Sequence, residues 1–572
     1  MMSARTSTDR LTAQGLASFL AVGITAAITI LGAVPWWTEQ REPTDHWTRL
    51  VISLAIALLV GWIVAQRQVV TELAPRMRNT VWLWGVGGLL LCMVFIPVFG
   101  RMQFAGFDHS VLIDLGWRQF SGQRVFRDFP NTLPIGFVLG CKACFTIFGV
   151  SWAAILAWQL CFAGATFAWS FGILWRITRN AEESFILAFT VQAAGNLLTA
   201  FWWYNPATTT LACIFFLSAA WLFLEPYGLA SGLSYTAALT LLAAMKPNVA
   251  GVLIISTTAI LVTSPFLRQR VLVYSMCGFV AFVGTLALQG ISALDVVRSY
   301  LSISSRGFVL RQFLQDMTKN EKAVALLLFS FACWPIAAYL WQTLSHARCP
   351  RKAAWLGLVA TAAGSYGFLT NGESKLVDLP LILLGGWWLN NSDVGHAAGP
   401  GRWSRFVFGV CAFVCVLGVL VGAVRHRVQS AGPNLFFSNR FAMARPITPF
   451  FRCMRNSSIF SMTEIQVDRA LREERPKNVY FGPRMQWAYA AFGIESPADQ
   501  LVWWDPGVSC PLSDEAAWVK KWQAAKFDAV VLIENDRTRM PAALCDTIQS
   551  NYVRLLDYSP ATYWKRKTTN QP

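Results

Sequence analysis

Charge is scarce in this chain, and acid is scarcer still. Of 572 residues 14% are charged, and Asp and Glu together number 31 against 48 Lys and Arg. So few charged groups cannot solvate a soluble chain of this size. With 55% hydrophobic residues, 26 Trp and 40 Phe, the composition marks a polytopic membrane protein. Nucleotide and hydrolase signatures are also missing: no GxxxxGK(S/T), no HExxH, and no GxGxxG opening a helix after a strand. Without an ATP site the chain is not read as an ATP-driven pump. The first apolar run, from about Leu16, lacks an Ala-x-Ala-type cleavage site and reads as a retained span. There is no internal repeat and no long low-complexity linker.

Cysteine is present, 13 in all, but without metal-binding spacing. Cys141 and Cys144 form a CxxC with no second Cys or His pair, so helix packing is the favoured reading. Cys510 and Cys545 lie in the polar C-terminal region, where a disulfide would form if that region is extracytoplasmic.

The formal charge of +17 does not indicate nucleic acid as a partner. Lys and Arg gather in the cytoplasmic loops of membrane proteins and set orientation. Spans of about 20 residues are expected near 14–34, 49–66, 81–99, 152–175, 184–201, 206–224, 229–245, 248–265, 271–289, 323–342, 353–370, 376–390 and 405–424. With the N-terminus inside, Arg5 and Arg10, Arg67, Arg76 and Arg78, Arg176 and Arg179, Arg268 and Arg270, Arg348, Arg351 and Lys352, and Arg402 and Arg405 all fall on the cytoplasmic side. Residues 134–150 are apolar but short and contain Lys142; they read as an interfacial or re-entrant helix on the outer side.

The expected fold is therefore an α-helical polytopic membrane protein of about thirteen transmembrane helices with a C-terminal extracytoplasmic α/β domain. Residues 1–80 hold the N-terminal tail and two spans. Residues 81–424 hold the main transmembrane domain, with outer loops at 100–150 and 290–322. Residues 425–572 form the soluble domain, with a strand at Asn478–Phe481, helices at Glu515–Ala525 and Ala542–Tyr552, and a β-rich run at Phe527–Ile533.

The first outer loop carries the densest set of candidate chemical groups. Asp108 opens it, and Asp114, Arg118, Arg124, Arg127 and Asp128 follow. The pattern of Val111, Leu115 and Arg118 predicts a short amphipathic helix along the membrane surface, ended by Gly122. Transfer of a sugar from a lipid phosphate needs a carboxylate to accept the acceptor's proton and cations or a metal to stabilise the departing phosphate. Asp108 suits the first role and reads equally as a helix N-cap. Asp114 and Asp128 are candidates for a second carboxylate; Asp128, beside Arg127, reads first as a structural ion pair.

Lys246-Pro247-Asn248 stands at the outer end of a span. Lys246 either snorkels to the headgroups or, aimed inward by the proline, meets a phosphate. Arg298 and Arg306 lie on the side that the topology signal leaves poor in cations, so they join Lys246 and Arg127 as candidate phosphate ligands. His109, Asn248 and Glu373, the last in a short outer turn, are candidate substrate contacts. Trp202-Trp203-Tyr204 reads as an aromatic belt at the outer membrane edge.

A span ending in an outer loop with an early Asp108, then Gly122-Gln123-x-x-Phe126-Arg127-Asp128-Phe129 and Pro134, a segment closing in Phe148-Gly149, and the Lys246-Pro247-Asn248 boundary resembles the GT-C superfamily of integral-membrane glycosyltransferases. That group includes protein mannosyltransferases and lipid A aminoarabinose transferases. The resemblance covers roughly residues 80–390. It implies inverting transfer from a polyprenyl-phosphate sugar on the extracytoplasmic face, with Asp108 as base, to a glycan, lipid or protein acceptor of the cell envelope. It also implies a bacterial inner-membrane location. Many members pair two acids where this chain has Asp108-His109, which leaves open a divalent cation such as Mg or Mn. The alternative is a transporter or lipid-linked-sugar flippase, which would show charges inside spans and a two-fold repeat. A lipopolysaccharide ligase or polysaccharide polymerase would share the lipid-linked sugar without the Asp loop and Lys-Pro boundary.

Overall fold

A computed structural model describes residues 107–192, 202–303, 352–370, 378–392, 443–533 and 540–567, with short breaks, together with Asn196, a few positions between 85 and 100, and most of 328–340. The spans expected at 14–34, 49–66 and 405–424 lie outside the described residues.

The membrane part runs α1 (Phe107–Phe120), α2 (Ile135–Phe148), α3 (Trp152–Thr178), α4 (Ala181–Gln192), α5 (Tyr204–Leu224), α6 (Leu229–Ala243), α7 (Pro247–Val262), α8 (Pro265–Leu288), α9 (Ala293–Ile303), α10 (Lys352–Thr370) and α11 (Leu379–Ser392). Of these α3, α5 and α8 are long and apolar enough to cross a membrane. At 1.5 Å per residue each exceeds the roughly 30 Å of hydrocarbon. Ser151 starts α3 by accepting from the backbone N–H of Ala154, and Arg179 ends it in the left-handed region. Proline at the first position starts both α7 and α8.

Helix α5 is the hub. Nearly all of its residues are buried, and it packs against α3, α6, α7, α10 and α11. Helix α8 is the opposite case: Leu272, Val273, Met276, Phe279 and Val280 are exposed, the outward apolar surface that lipid would cover. Amide side chains tie α3 to the next helix. Asn196 donates to Gln192 at 2.6 Å, Gln159 donates to Asn196 at 3.1 Å, and Gln192 donates to Thr166 at 3.2 Å. Such bonds hold helices together where lipid offers no hydrophobic drive.

Helix α2 has 14 residues, about 21 Å of rise, too short to span. Its first half is buried and its last residues, Thr146 to Gly149, are exposed. Lys142 donates to Gln289 at the end of α8 at 2.7 Å.

The C-terminal region carries β1 (Met443–Ala444), β2 (Asn456–Ser457), α12 (Ser458–Glu474), β3 (Val479–Phe481), α13 (Trp487–Phe492), α14 (Glu515–Ala525), β4 (Ala529–Ile533), α15 (Ala542–Asn551), β5 (Tyr552–Tyr558) and β6 (Ala561–Arg566). Its four-stranded sheet has the order β3-β4-β6-β5, with β3 parallel to β4 and the other pairs antiparallel. Alternation along the strands decides its two faces. Tyr480 and Val530 point to one side, into a core with Trp504, with Val519 and Trp522 of α14, and with Leu544 and Ile548 of α15. Val479, Phe481, Ala529, Val531 and Ile533 point to the other side, where Phe460 and Val467 of α12 and Trp487 of α13 cover them. That second core is continuous with the membrane core. Phe450 lies 6.2 Å from Phe145 of α2, and Phe451 lies 6.3 Å from Trp152 of α3 and 5.4 Å from Trp487.

Several sequence expectations change here. Cys510 and Cys545 are both free thiols, so no disulfide joins them. On α14, Val519 and Trp522 are buried and Ala516 is exposed. Helix α12 and the β5–β6 hairpin were not foreseen.

Glu464 of α12 is fully enclosed. Thr448 Oγ1 donates to its Oε1 at 2.5 Å and the N–H of Ile447 to its Oε2 at 3.2 Å. Burial outweighs these bonds and pushes the carboxyl up to about 7. Below the unfolded value near 4.5 both states are protonated; as pH rises from there to about 7 the unfolded chain releases a proton that the folded chain keeps. Stability therefore falls across that window, by about 3 kcal/mol, and is level above it. Thermal unfolding in detergent from pH 4.5 to 8 is expected to show this slope, and Glu464→Gln to flatten it. A slope unchanged in that variant contradicts the assignment.

Candidate functional site

Helix α1 is laid down by the turn that follows it. The N–H of Gly122 donates to Gln119 O and that of Gln123 to Arg118 O at 2.9 Å, while Gly122 takes φ +96°, a conformation open to glycine without a Cβ clash. Phe126 also has positive φ, 66°, as its N–H turns back to Phe129 O. Residues 123–129 thus form a tight knot rather than a free loop.

The expected surface helix is instead enclosed. Val111, Leu112, Ile113, Leu115, Arg118 and Gln119 are all buried, because α1 is packed between α2 and α13 of the C-terminal region. Its polar groups are matched by residues nearly 400 positions away. Ser110 Oγ donates to Arg484 O at 2.8 Å, Trp117 Nε1 to Ile494 O at 2.8 Å, and Gln123 Nε2 to Ser496 O at 2.6 Å. The N–H of Asp499 donates to Asp128 O at 2.7 Å.

At the centre of this seam Arg118 and Asp114, one helical turn apart, form an ion pair at 2.9 Å with both side chains out of water. Ser496 Oγ donates to the other Asp114 oxygen at 2.5 Å, Arg118 also donates to Pro497 O at 2.8 Å, and its guanidinium stacks over Phe129 at 5.3 Å. Burial pushes the Asp114 carboxyl up, and Arg118 and Ser496 oppose it. With both oxygens engaged and no exposure, Asp114 clamps α1 to residues 496–497.

The other candidates divide. Asp108 lies half-buried within the first turn of α1, not at the cap position ahead of it. His109 beside it is fully enclosed, 5.0 Å edge-on from Trp152. Burial pulls its imidazole down to about 3, so it is neutral at physiological pH. Asp128 accepts from the N–H of Arg124 at 2.7 Å and meets Arg127 at 3.8 Å. It shapes the knot, and Arg127 is exposed beside it. Arg298 is exposed on α9. Arg306 and Glu373 lie outside the described residues.

Lys246 is the N-cap of α7. Its Nζ donates to Asn205 Oδ1 at 3.3 Å and its backbone N–H to Thr208 Oγ1 at 3.4 Å. Asn248 follows in the first turn of α7. The turn before Lys246 is bonded to the start of α2, with the N–H of Gly136 donating to Ala244 O at 2.7 Å. A Cβ at Gly136 would stand 2.9 Å from the Cβ of Ala244, so the approach requires glycine. Helix α9 joins the same region: Tyr300 Oη accepts from the N–H of Ile135 at 3.0 Å, and Ser299 Oγ donates to Asn131 O at 2.5 Å. The segment after α1, the turn before Lys246 and helix α9 are therefore stitched at residues 131–136.

Sequence reasoning missed Asp378, buried at the start of α11, where Thr209 Oγ1 donates to its Oδ1 at 3.0 Å. The available signal was a lone acid at the edge of the apolar run 376–390. Among the described residues no three His, Cys, Asp or Glu side chains converge as metal ligands would.

No known family model matches the chain, and no curated protein matches it. Among solved structures it is similar to ArnT from Cupriavidus metallidurans. With undecaprenyl phosphate bound, that protein shares 10% identity over 86% of this chain and 99% of its own, at a TM-score of 0.49. In the apo state the figures are 11%, 84%, 97% and 0.46. Likeness at this level assigns neither an activity nor a ligand to this chain.

Arg118→Met strands a buried carboxylate and is expected to cost about 3–5 kcal/mol. It should also expose the 493–499 segment to protease. The double replacement Asp114→Leu with Arg118→Met should recover much of that loss, since an apolar pair carries no desolvation cost. Thermal unfolding and limited proteolysis in detergent check both; a double variant weaker than the single one contradicts the clamp.

Proposed function

We propose that this chain is an integral-membrane, GT-C-type glycosyltransferase that moves a sugar, with inversion, from a polyprenyl-phosphate donor to a cell-envelope acceptor. The observation that carries the reading is the junction at 131–136. It ties the loop that begins with Asp108 to the turn bearing Lys246 and to the helix bearing Arg298. A carboxylate near a helix start and cations on neighbouring segments are the two elements that the reaction needs.

In the proposed step Asp108 accepts the proton of an acceptor hydroxyl. The hydroxyl oxygen attacks the anomeric carbon as the bond from that carbon to the phosphate oxygen breaks. The electron pair leaves with the polyprenyl phosphate, whose charge Lys246 meets, with Arg298, Arg306 and Arg127 as further cations at the outer surface. Asn248 and Glu373 are proposed sugar contacts. A divalent cation, Mg or Mn, would neutralise the same phosphate. The donor's lipid would lie against the membrane helices. The proposed setting is a bacterial inner membrane, with the N-terminus cytoplasmic and residues 425–572 extracytoplasmic.

Asp108→Asn is expected to lower transfer by roughly 10²–10⁴-fold with expression and unfolding temperature unchanged. The assay runs purified protein against a panel of polyprenyl-phosphate sugars, with and without divalent cation. Near-normal transfer by the variant removes Asp108 as base. A reporter fused at residue 440 is expected to read extracytoplasmic, and a cytoplasmic signal inverts the topology.

A further inference from the structure

Asn205, Thr208 and Thr209 lie at i, i+3 and i+4 in the first turns of α5, and so share one face of that helix. Two charged residues from distant parts of the chain come to this face. Lys246 uses Asn205 through its ammonium and Thr208 through its backbone. Asp378 uses the Thr209 hydroxyl. The third helix here, α10, makes room for the acid: a Cβ on Gly367 would stand 2.6 Å from Asp378 Oδ1. The charge of Asp378 bears on Lys246.

We infer that Asp378 is a positioning residue for Lys246, holding the lysine ammonium on the polar face of α5 where the phosphate head of a polyprenyl donor is bound. The inference rests on the proposed function, since it names how that site keeps its cation. A lysine taken out of water without a countercharge tends to give up its proton or swing back to the aqueous edge. An acid on the same helix face, itself fixed by Thr209, opposes both. Asp378 is negative and repels a phosphate directly. Its benefit must therefore come through Lys246, and this decides the sign of the test: removing Asp378 loosens phosphate binding if it acts through the lysine and tightens it if it does not.

The test is a titration of the purified full chain with undecaprenyl phosphate, read by native mass spectrometry. Asp378→Asn is expected to weaken binding roughly tenfold, and Thr209→Val about threefold. In a Lys246→Ala background neither substitution should weaken it further, which a purely structural role would not produce. Equal or tighter binding by Asp378→Asn overturns the inference, as do losses that multiply in the double variant. If Asp378→Asn does not fold, the cycle of Thr209→Val with Lys246→Ala gives the same decision. Undecaprenyl phosphate that fails to bind the unaltered chain refutes the proposed function and this inference with it. Binding that Asp378→Asn leaves untouched refutes this inference alone.

Discussion

Two opposite charges held out of water 2.9 Å apart, Asp114 and Arg118, set how the C-terminal region meets α1. Neither charge is tolerable alone in that position. Together they still need acceptors and donors for their remaining valences, and these come from Ser496 and Pro497. The pair therefore does more than stabilise a helix. It dictates that the C-terminal region sits on α1, with Trp117, Ser110 and Gln123 aligned along the same seam. The aromatic column from Phe145 and Trp152 through Phe450 and Phe451 to Trp487 supplies the apolar half of that contact.

A second constraint works at the other end of the loop. Gly136 permits backbone-to-backbone contact with the turn before Lys246, and Tyr300 and Ser299 close the same point from α9. Asp108 is carried by a helix clamped to one domain, and Lys246 by a turn set on α5. The 14-residue α2 lies between them as a strut. Sites built on such fixed elements hold reacting groups in place better than sites on free loops.

How much of this was legible in the sequence depended on how far away each residue's partner lay. Helices α3, α5 and α8 were readable because a run of apolar residues longer than the bilayer needs no partner to be recognised. Strands β3 and β4 and helices α14 and α15 were readable from local periodicity. Helix α1 is legible, but its setting is not: with Trp117 and Arg118 on its surface it resembles an interfacial helix, and the segment that covers them begins more than 370 residues later. The partners of Asp114 beyond its own helix, Ser496 above all, are equally remote in sequence. Asp378 was passed over because an acid at the edge of a span takes its meaning from Thr209 and Lys246, on two other helices. The β5–β6 hairpin is hard to read because a register shift between Arg554 and Leu556 interrupts the alternation a strand would show.

The distance in sequence across the Asp114–Ser496 bond, 382 residues, has a bearing on biosynthesis. The loop that bears Asp108 leaves the ribosome early, well before the segment that completes its packing. Until that segment has been made, Asp114 and Arg118 lack the partners that Ser496 and Pro497 supply. Assembly of this seam therefore waits on the 494–499 segment, and a product cut short of it would leave α1 uncovered on that side.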